Sequence, residues 1–175
     1  IREKGTDRSR FHRNEVDKYT WQEPGSSFLP GELIAAFLWA QLEEAEQITH
    51  RRLIAWQRYH DLVKPLEARG ILRRPIVPEG CQHNAHMYYV LLEPTSDRHA
   101  VLDELNRSDV NAVFHYVPLH SSPAGQRYGR AHGVLPITNS NSGRLIRLPL
   151  FVGLTEEQQQ EVVSVLERTL EKRMT

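Results

Sequence analysis

Ile34, Leu38, Leu42, Ala45, Ile48, Ala55, Tyr59, Leu62 and Leu66 recur at steps of three, four and seven, the spacing that gathers side chains on one face of an α-helix. The stripe predicts a single helix over 33–66, about 50 Å long at 1.5 Å per residue, with a bend near Thr49. A helix of that length exceeds what a small domain needs and suits a strut joining two domains. Pro65 and Gly70 disrupt its end, and Pro75, Pro78 and Gly80 mark a connection. Beyond it the period changes. NAHMYYVLL (84–92) and VNAVFHYV (110–117) read as strands, with DRHAVLDELNR (97–107) between them as a helix. A long loop through Pro123, Gly125, Gly129 and Gly133 leads to a short strand at 145–150. A final helix starts at Thr155, a good N-cap, with Glu156 and Glu157 suited to the positive end of the helix dipole. Residues 1–29 mix arginines with Phe11, Tyr19, Trp21 and Phe28 without sustained periodicity and read as loop with short pieces of structure. The pattern is α+β: a first stretch over 1–29, a long helix over 30–70, and a small α+β domain over 71–175.

Composition narrows the function classes. The 175 residues carry 22 Lys+Arg and 22 Asp+Glu, so the net charge is zero with neutral histidine, and no surplus exists to bind a polyanion. A hydrophobic share of 39% and a charged share of 25% belong to an ordinary globular chain and exclude collagen, disorder and a disulfide scaffold. Cys81 is the one cysteine; it can form neither an internal disulfide nor a thiolate zinc site, which fits a reducing compartment. No apolar run approaches the ~20 residues of a membrane helix, and the first segment is polar where a signal peptide would be apolar. The expectation is a cytoplasmic protein with neither a nucleic-acid nor a membrane partner. A chain that opens on Ile1 is further expected to be part of a longer polypeptide.

Candidate chemistry within the chain is sparse. Of nine histidines, the pairs His83–His86 and His115–His120 invite a metal reading. Side chains three apart on a strand point to opposite faces, and His115 and His120 are separated by Pro118 with no Asp or Cys nearby, so no metal site is expected. Cys81 has no identifiable activating group, and no G-x-S-x-G occurs. The glycines of GQRYGRAHG (125–133) lack a preceding strand and a following helix, though Arg127 and Arg130 beside Tyr128 suit an anionic ligand.

Four segments in order carry a resemblance: GSSFLPGELIAAFLWAQLE from Gly25, NAHMYYVLL, HYVPLH from His115 with Ser122-Pro123-Ala124-Gly125 after it, and RLIRLPLFVGLT from Arg144. Together with IREKGTDRSRF and VDKYTW they resemble the C-terminal portion of the pyridoxal-phosphate-dependent sugar-nucleotide aminotransferases, the DegT/StrS group of fold type I. The resemblance covers essentially the whole chain, and its weight comes from the ordered set rather than from any one segment.

It implies the tail of a large domain over 1–29, a connecting helix, and the small C-terminal domain. Enzymes of this group hold the cofactor through a lysine in a Ser-Phe-His-x-x-Lys type segment; Lys4, Lys18, Lys64 and Lys172 all lack that context. No catalytic residue is therefore expected in this chain, and the chain alone should be inactive. By position, Ser26 and Ser27 correspond to the stretch that reaches the cofactor phosphate of the opposite subunit of a homodimer. The family commonly has Gly-x-Asn there, but a hydroxyl also donates to a phosphate oxygen. His115, Tyr116 and His120 correspond to the strand and loop beside the nucleotide sugar. The implied reaction carries the amino group of glutamate, leaving 2-oxoglutarate, to C4 of a dTDP-4-keto-6-deoxyhexose in surface-polysaccharide synthesis. The rival reading is a free-standing α+β binding or interaction module.

Overall fold

The computed structural model describes residues 7–16, 22, 26 and 28–173, and the chain falls into two units, 1–45 and 46–175. The first contains a short helix α1 (Arg8–His12) and α2 (Glu32–Glu43). Glu15 pairs with Arg13 at 2.6 Å and with Arg10 at 3.4 Å, exposed contacts of small energetic weight. Alanine, leucine, glutamate and glutamine make α2 a good intrinsic helix. None of its residues is buried, and Leu33, Ile34, Phe37, Leu38, Trp39 and Leu42 are all exposed.

The single helix expected over 33–66 is three: α2, α3 (Ala45–Leu62) and α4 (Lys64–Ala68). The first break is at Glu44, whose φ of −100° and ψ of 8° leave the helical region, rather than near Thr49. The second, at Val63, precedes Pro65, which has no N–H to continue a helix but fits the first turn of a new one. Gly70 closes α4 with φ +71°. Its N–H donates to the Glu67 carbonyl at 2.9 Å, and that of Ile71 to Leu66 at 3.1 Å, a closure that strains any residue bearing a Cβ.

The second unit is built on a four-stranded antiparallel sheet of β1 (Leu72–Arg73), β2 (Tyr88–Leu92), β3 (Val113–Phe114) and β4 (Leu145–Leu148), in the order β1-β2-β4-β3. Val90 pairs with Ile146, and Arg147 lies between Tyr89 on one side and Val113 on the other. Alternate residues Tyr88, Val90, Leu92, Ile146 and Leu148 enter a core shared with α3, with α5 (Arg98–Arg107) and with α8 (Glu156–Glu171). Trp56, Tyr59 and Val63 of the α3 region belong to that core. The compact unit therefore begins at Glu46, earlier than the Ile71 boundary read from the sequence.

Asp97 caps α5, its carboxylate accepting the Ala100 N–H at 3.2 Å. Thr155 opens α8 with a capping box: its hydroxyl accepts from Gln158 N–H at 3.2 Å, and the Gln158 side chain accepts from Thr155 N–H at 3.0 Å. Fully buried Gln159 ties α8 to α3, donating to the Ala55 carbonyl at 2.7 Å and accepting from Arg58 at 3.0 Å. The expected loop after Pro118 instead holds a 3-10 turn (Leu119–Ser121), α6 (Pro123–Tyr128) and α7 (Pro136–Arg144). PITNSNSGR has neither helix-forming composition nor an apolar stripe. Two arginines anchor its end: Arg144 donates to the Leu92 carbonyl at 3.1 Å, and Arg98 donates to that of Ser142.

Where α3 meets α4, Arg74 donates to Glu67 at 2.6 Å and to the His60 carbonyl at 2.7 Å. Burial alone pushes the Glu67 carboxyl up, but bonds from the Arg74 backbone and guanidinium outweigh it and hold the group below its ordinary 4.5. Burial, followed by the Arg74 charge, lowers His60 from 6.5, and its ring stacks on Trp56 at 4.7 Å. For both groups the unfolded chain binds more protons than the folded one, so stability rises with pH. Acidification should destabilise the second unit first as pH falls below 6.5, through His60, and again as it falls below 4.5 through Glu67. Urea midpoints measured against pH check this. In His60→Gln the upper step should vanish and the lower one remain.

Candidate functional site

Residues 113–128 form the stretch in which local geometry and exposed chemistry coincide. Val113 and Phe114 are held in the sheet by β4, and the Arg98 guanidinium lies over the Phe114 ring at 5.6 Å from its centroid. The chain leaves the sheet at His115, whose ring meets that of Tyr116 edge-on at 5.5 Å. His115 is half-buried, and its Nδ1 is enclosed without a hydrogen-bond partner. Tyr116 is 81% exposed, with Val117 and Leu119 exposed after it. Pro118 then starts the 3-10 turn that carries half-buried His120.

This stretch is pinned from its far end. The Ser122 hydroxyl donates to the Leu119 carbonyl at 2.8 Å and accepts the Gly125 N–H at 3.0 Å, the N-cap arrangement that starts α6. Gly125 sits so close to the turn that a Cβ there would fall 1.6 Å from the Leu119 carbonyl oxygen. Only glycine fits this approach. Its place in the sequence marked a loop; the packing of α6 on the 3-10 turn was not readable from it. At the end of α6 the Arg127 guanidinium lies over the Tyr128 ring at 5.0 Å. The result is an exposed aromatic and aliphatic strip with histidine nitrogens beside it, suited to stacking on a ring and hydrogen bonding to hydroxyl or phosphate oxygens.

Ser26 is half-buried in the first unit, and Ser27 lies outside the described residues. Lys64 is exposed at the start of α4, and Lys172, exposed beyond α8, stands 3.8 Å from Glu104. Neither offers the enclosed amine that would hold a carbonyl cofactor. Cys81 is a free, exposed thiol. Among the described residues no group of three or more His, Cys, Asp or Glu side chains converges as a metal site, and no helix is long and apolar enough to cross a membrane. A cavity of about 490 Å³ beside Ile71, Val101 and Leu170 includes Glu93, Asp97 and Arg173 in its wall. Asp97 is used in capping α5, and Arg173 donates to the Ala100 carbonyl at 3.0 Å.

Comparison with known proteins identifies the family and the fold. The profile of the DegT/DnrJ/EryC1/StrS aminotransferase family matches residues 1–167. The dTDP-3-amino-3,4,6-trideoxy-alpha-D-glucose transaminase of Micromonospora megalomicea subsp. nigra is 26% identical over 165 residues, covering 93% of this chain and 43% of the relative. A DegT DnrJ EryC1 StrS aminotransferase structure from Brucella abortus is 26% identical with a TM-score of 0.66, over 77% of this chain and 34% of that one. The "Putative sugar aminotransferase Spr1654 from Streptococcus pneumoniae, PMP-form" superimposes with a TM-score of 0.79 at 20% identity, over 98% of this chain and 41% of that one. The α+β architecture is thus that of these aminotransferases, and the chain spans less than half the length of these relatives.

Proposed function

The chain belongs to the DegT/DnrJ/EryC1/StrS aminotransferase family, and from that premise we propose that it is the C-terminal part of a pyridoxal-phosphate-dependent sugar-nucleotide aminotransferase. The observation that carries the reading is exposed Tyr116 with half-buried His115 and His120 beside it, pinned through Gly125 and continuous with a sheet of this family's fold. The cofactor, when bound, supplies the electron sink through which an amino group is exchanged. This chain contributes binding groups. Tyr116 covers the sugar or base, His115 and His120 hydrogen-bond its oxygens, and the Ser26 and Ser27 hydroxyls reach the cofactor phosphate of the other subunit in a homodimer. The free thiol of Cys81 accords with a reducing compartment, and we place the protein in the cytoplasm.

The substrate pair we propose is glutamate and a dTDP-4-keto-6-deoxyhexose aminated at C4, giving dTDP-4-amino-4,6-dideoxygalactose. The gene product containing this chain should transfer nitrogen from ¹⁵N-glutamate to C4 of that sugar, with the position read by NMR. Amination at C3, or no transfer from glutamate, would overturn the substrate assignment. Tyr116→Phe and His120→Ala should raise KM for the nucleotide sugar more than for glutamate; equal effects on the two would remove the strip from the sugar side.

A further inference from the structure

The sheet has a second face, and its lower half is open. Because side chains alternate along a strand, Met87 and Tyr89 of the β2 segment, Arg147 and Pro149 of the β4 segment, and Asn111 and Val113 of the β3 segment lie on the side opposite the buried row of Tyr88, Val90, Ile146 and Leu148. At this end the structure contains a cavity of about 280 Å³ lined by His86, Met87, Asn111, Val113, Arg147 and the Leu148–Leu150 turn of chain.

Arg147 is the unusual member. It is half-buried between Tyr89 and Val113, yet its side chain has no hydrogen bond, ion pair or ring contact among the described residues. The half-buried arginines Arg58, Arg74, Arg98 and Arg144 are all engaged, with Gln159, Glu67, the Ser142 carbonyl and the Leu92 carbonyl. Arg52 also lacks a partner but lines neither cavity. A guanidinium offers five N–H donors in a fork matched to a carboxylate or phosphate, and a charge taken partly out of water without a counter-ion is costly. No carboxylate lines this cavity. His86, whose Nδ1 is engaged by Asn84 at 3.0 Å, retains Nε2 for a ligand, and the Asn111 amide adds donors at the rim. Met87, Val113 and Pro149 supply an apolar wall. The volume falls just short of the ~300–1,000 Å³ of drug-sized sites, enough for the anionic end of a small molecule.

We propose that this cavity is an anion site in which Arg147 grips a carboxylate or phosphate group, with Asn111 and His86 as secondary donors. The proposal rests on the transaminase reading only for the source of the anion. In that setting the two sources are the carboxylates of the amino donor and the diphosphate of the nucleotide. β3 leads from Val113, in the cavity wall, directly into His115 and Tyr116.

The test is direct binding to the 175-residue chain, followed by amide shifts in ¹⁵N spectra during separate titrations with glutamate, 2-oxoglutarate, thymidine diphosphate and inorganic phosphate at constant ionic strength. Saturable shifts centred on Asn111, Val113 and Arg147 are expected for at least one anion. Affinity should fall about tenfold or more in Arg147→Gln, fall less in Arg147→Lys, which keeps the charge but loses the fork, and hold in Arg52→Gln. Preference for the dicarboxylates assigns the site to the amino donor; preference for thymidine diphosphate and phosphate assigns it to the nucleotide. Absence of saturable shifts at these residues for all four probes, or equal binding by Arg147→Gln, would overturn the proposal. The nitrogen-transfer assay, which involves no binding readout at Arg147, decides the transaminase reading separately.

Discussion

Replacing Gly125 by alanine should abolish the ordered approach of α6 to the 3-10 turn. The added methyl carbon would lie 1.6 Å from the Leu119 carbonyl oxygen, 2.6 Å from its carbon and 3.0 Å from the Ser122 hydroxyl. Two of these atoms are backbone, so no rotamer change relieves the overlap. The helix must move, and the Ser122 bonds to Leu119 and Gly125 are lost with it. Forced insertion of this kind costs about 1–3 kcal/mol where the surroundings can yield, and here the yielding is local because neither α6 nor the turn holds a buried residue. Hydrogen exchange should show protection lost over 119–129 and retained in β2 and α8. Ala124→Gly, the control, should leave protection over that stretch nearly intact. Unchanged exchange in Gly125→Ala would mean that the close approach is not maintained in solution. If the strip serves the nucleotide sugar, the same variant should raise KM for that substrate.

What could be read in advance follows the physics of each element. The helix at α8 was legible because Thr155, Glu156 and Glu157 announce its start and Val162, Val163, Leu166 and Leu170 keep one face buried. The strand character of NAHMYYVLL was legible from its apolar run, but pairing begins only at Tyr88. The single long helix fails because an apolar stripe reports which positions recur at helical spacing and is silent on a one-residue break such as Glu44. α7 left no trace in composition, since arginine bonds to distant carbonyls secure its end. At the site, the resemblance points to His115, Tyr116 and His120, whereas no motif singles out Arg147. Period two in RLIRLPL already sets it opposite Ile146 and Leu148, but its lack of a partner is a fact of three dimensions.

Leu166→Ala should produce a large loss of stability in the second unit. Leu166 is fully buried in the cluster that joins α8 to the sheet and to α3 and α5. Removing three carbons there forfeits transfer free energy and leaves a cavity that rigid neighbours fill incompletely, a combined cost of about 2–5 kcal/mol. Since domains are commonly stable by only ~5–15 kcal/mol, this is a large fraction of the total. Ile76→Ala supplies the contrast: at 70% exposure its truncation should change stability by no more than about 0.5 kcal/mol. Urea unfolding followed at the amides of Val90 and Leu105 reads both variants on the same core. The Leu166→Ala midpoint should fall well below the parent's while the slope with denaturant is maintained. A loss under 1 kcal/mol for Leu166→Ala, or matching losses for the two variants, would mean that α8 is not a wall of this core, and the sheet would then have to be stabilised from its open, Arg147-bearing face.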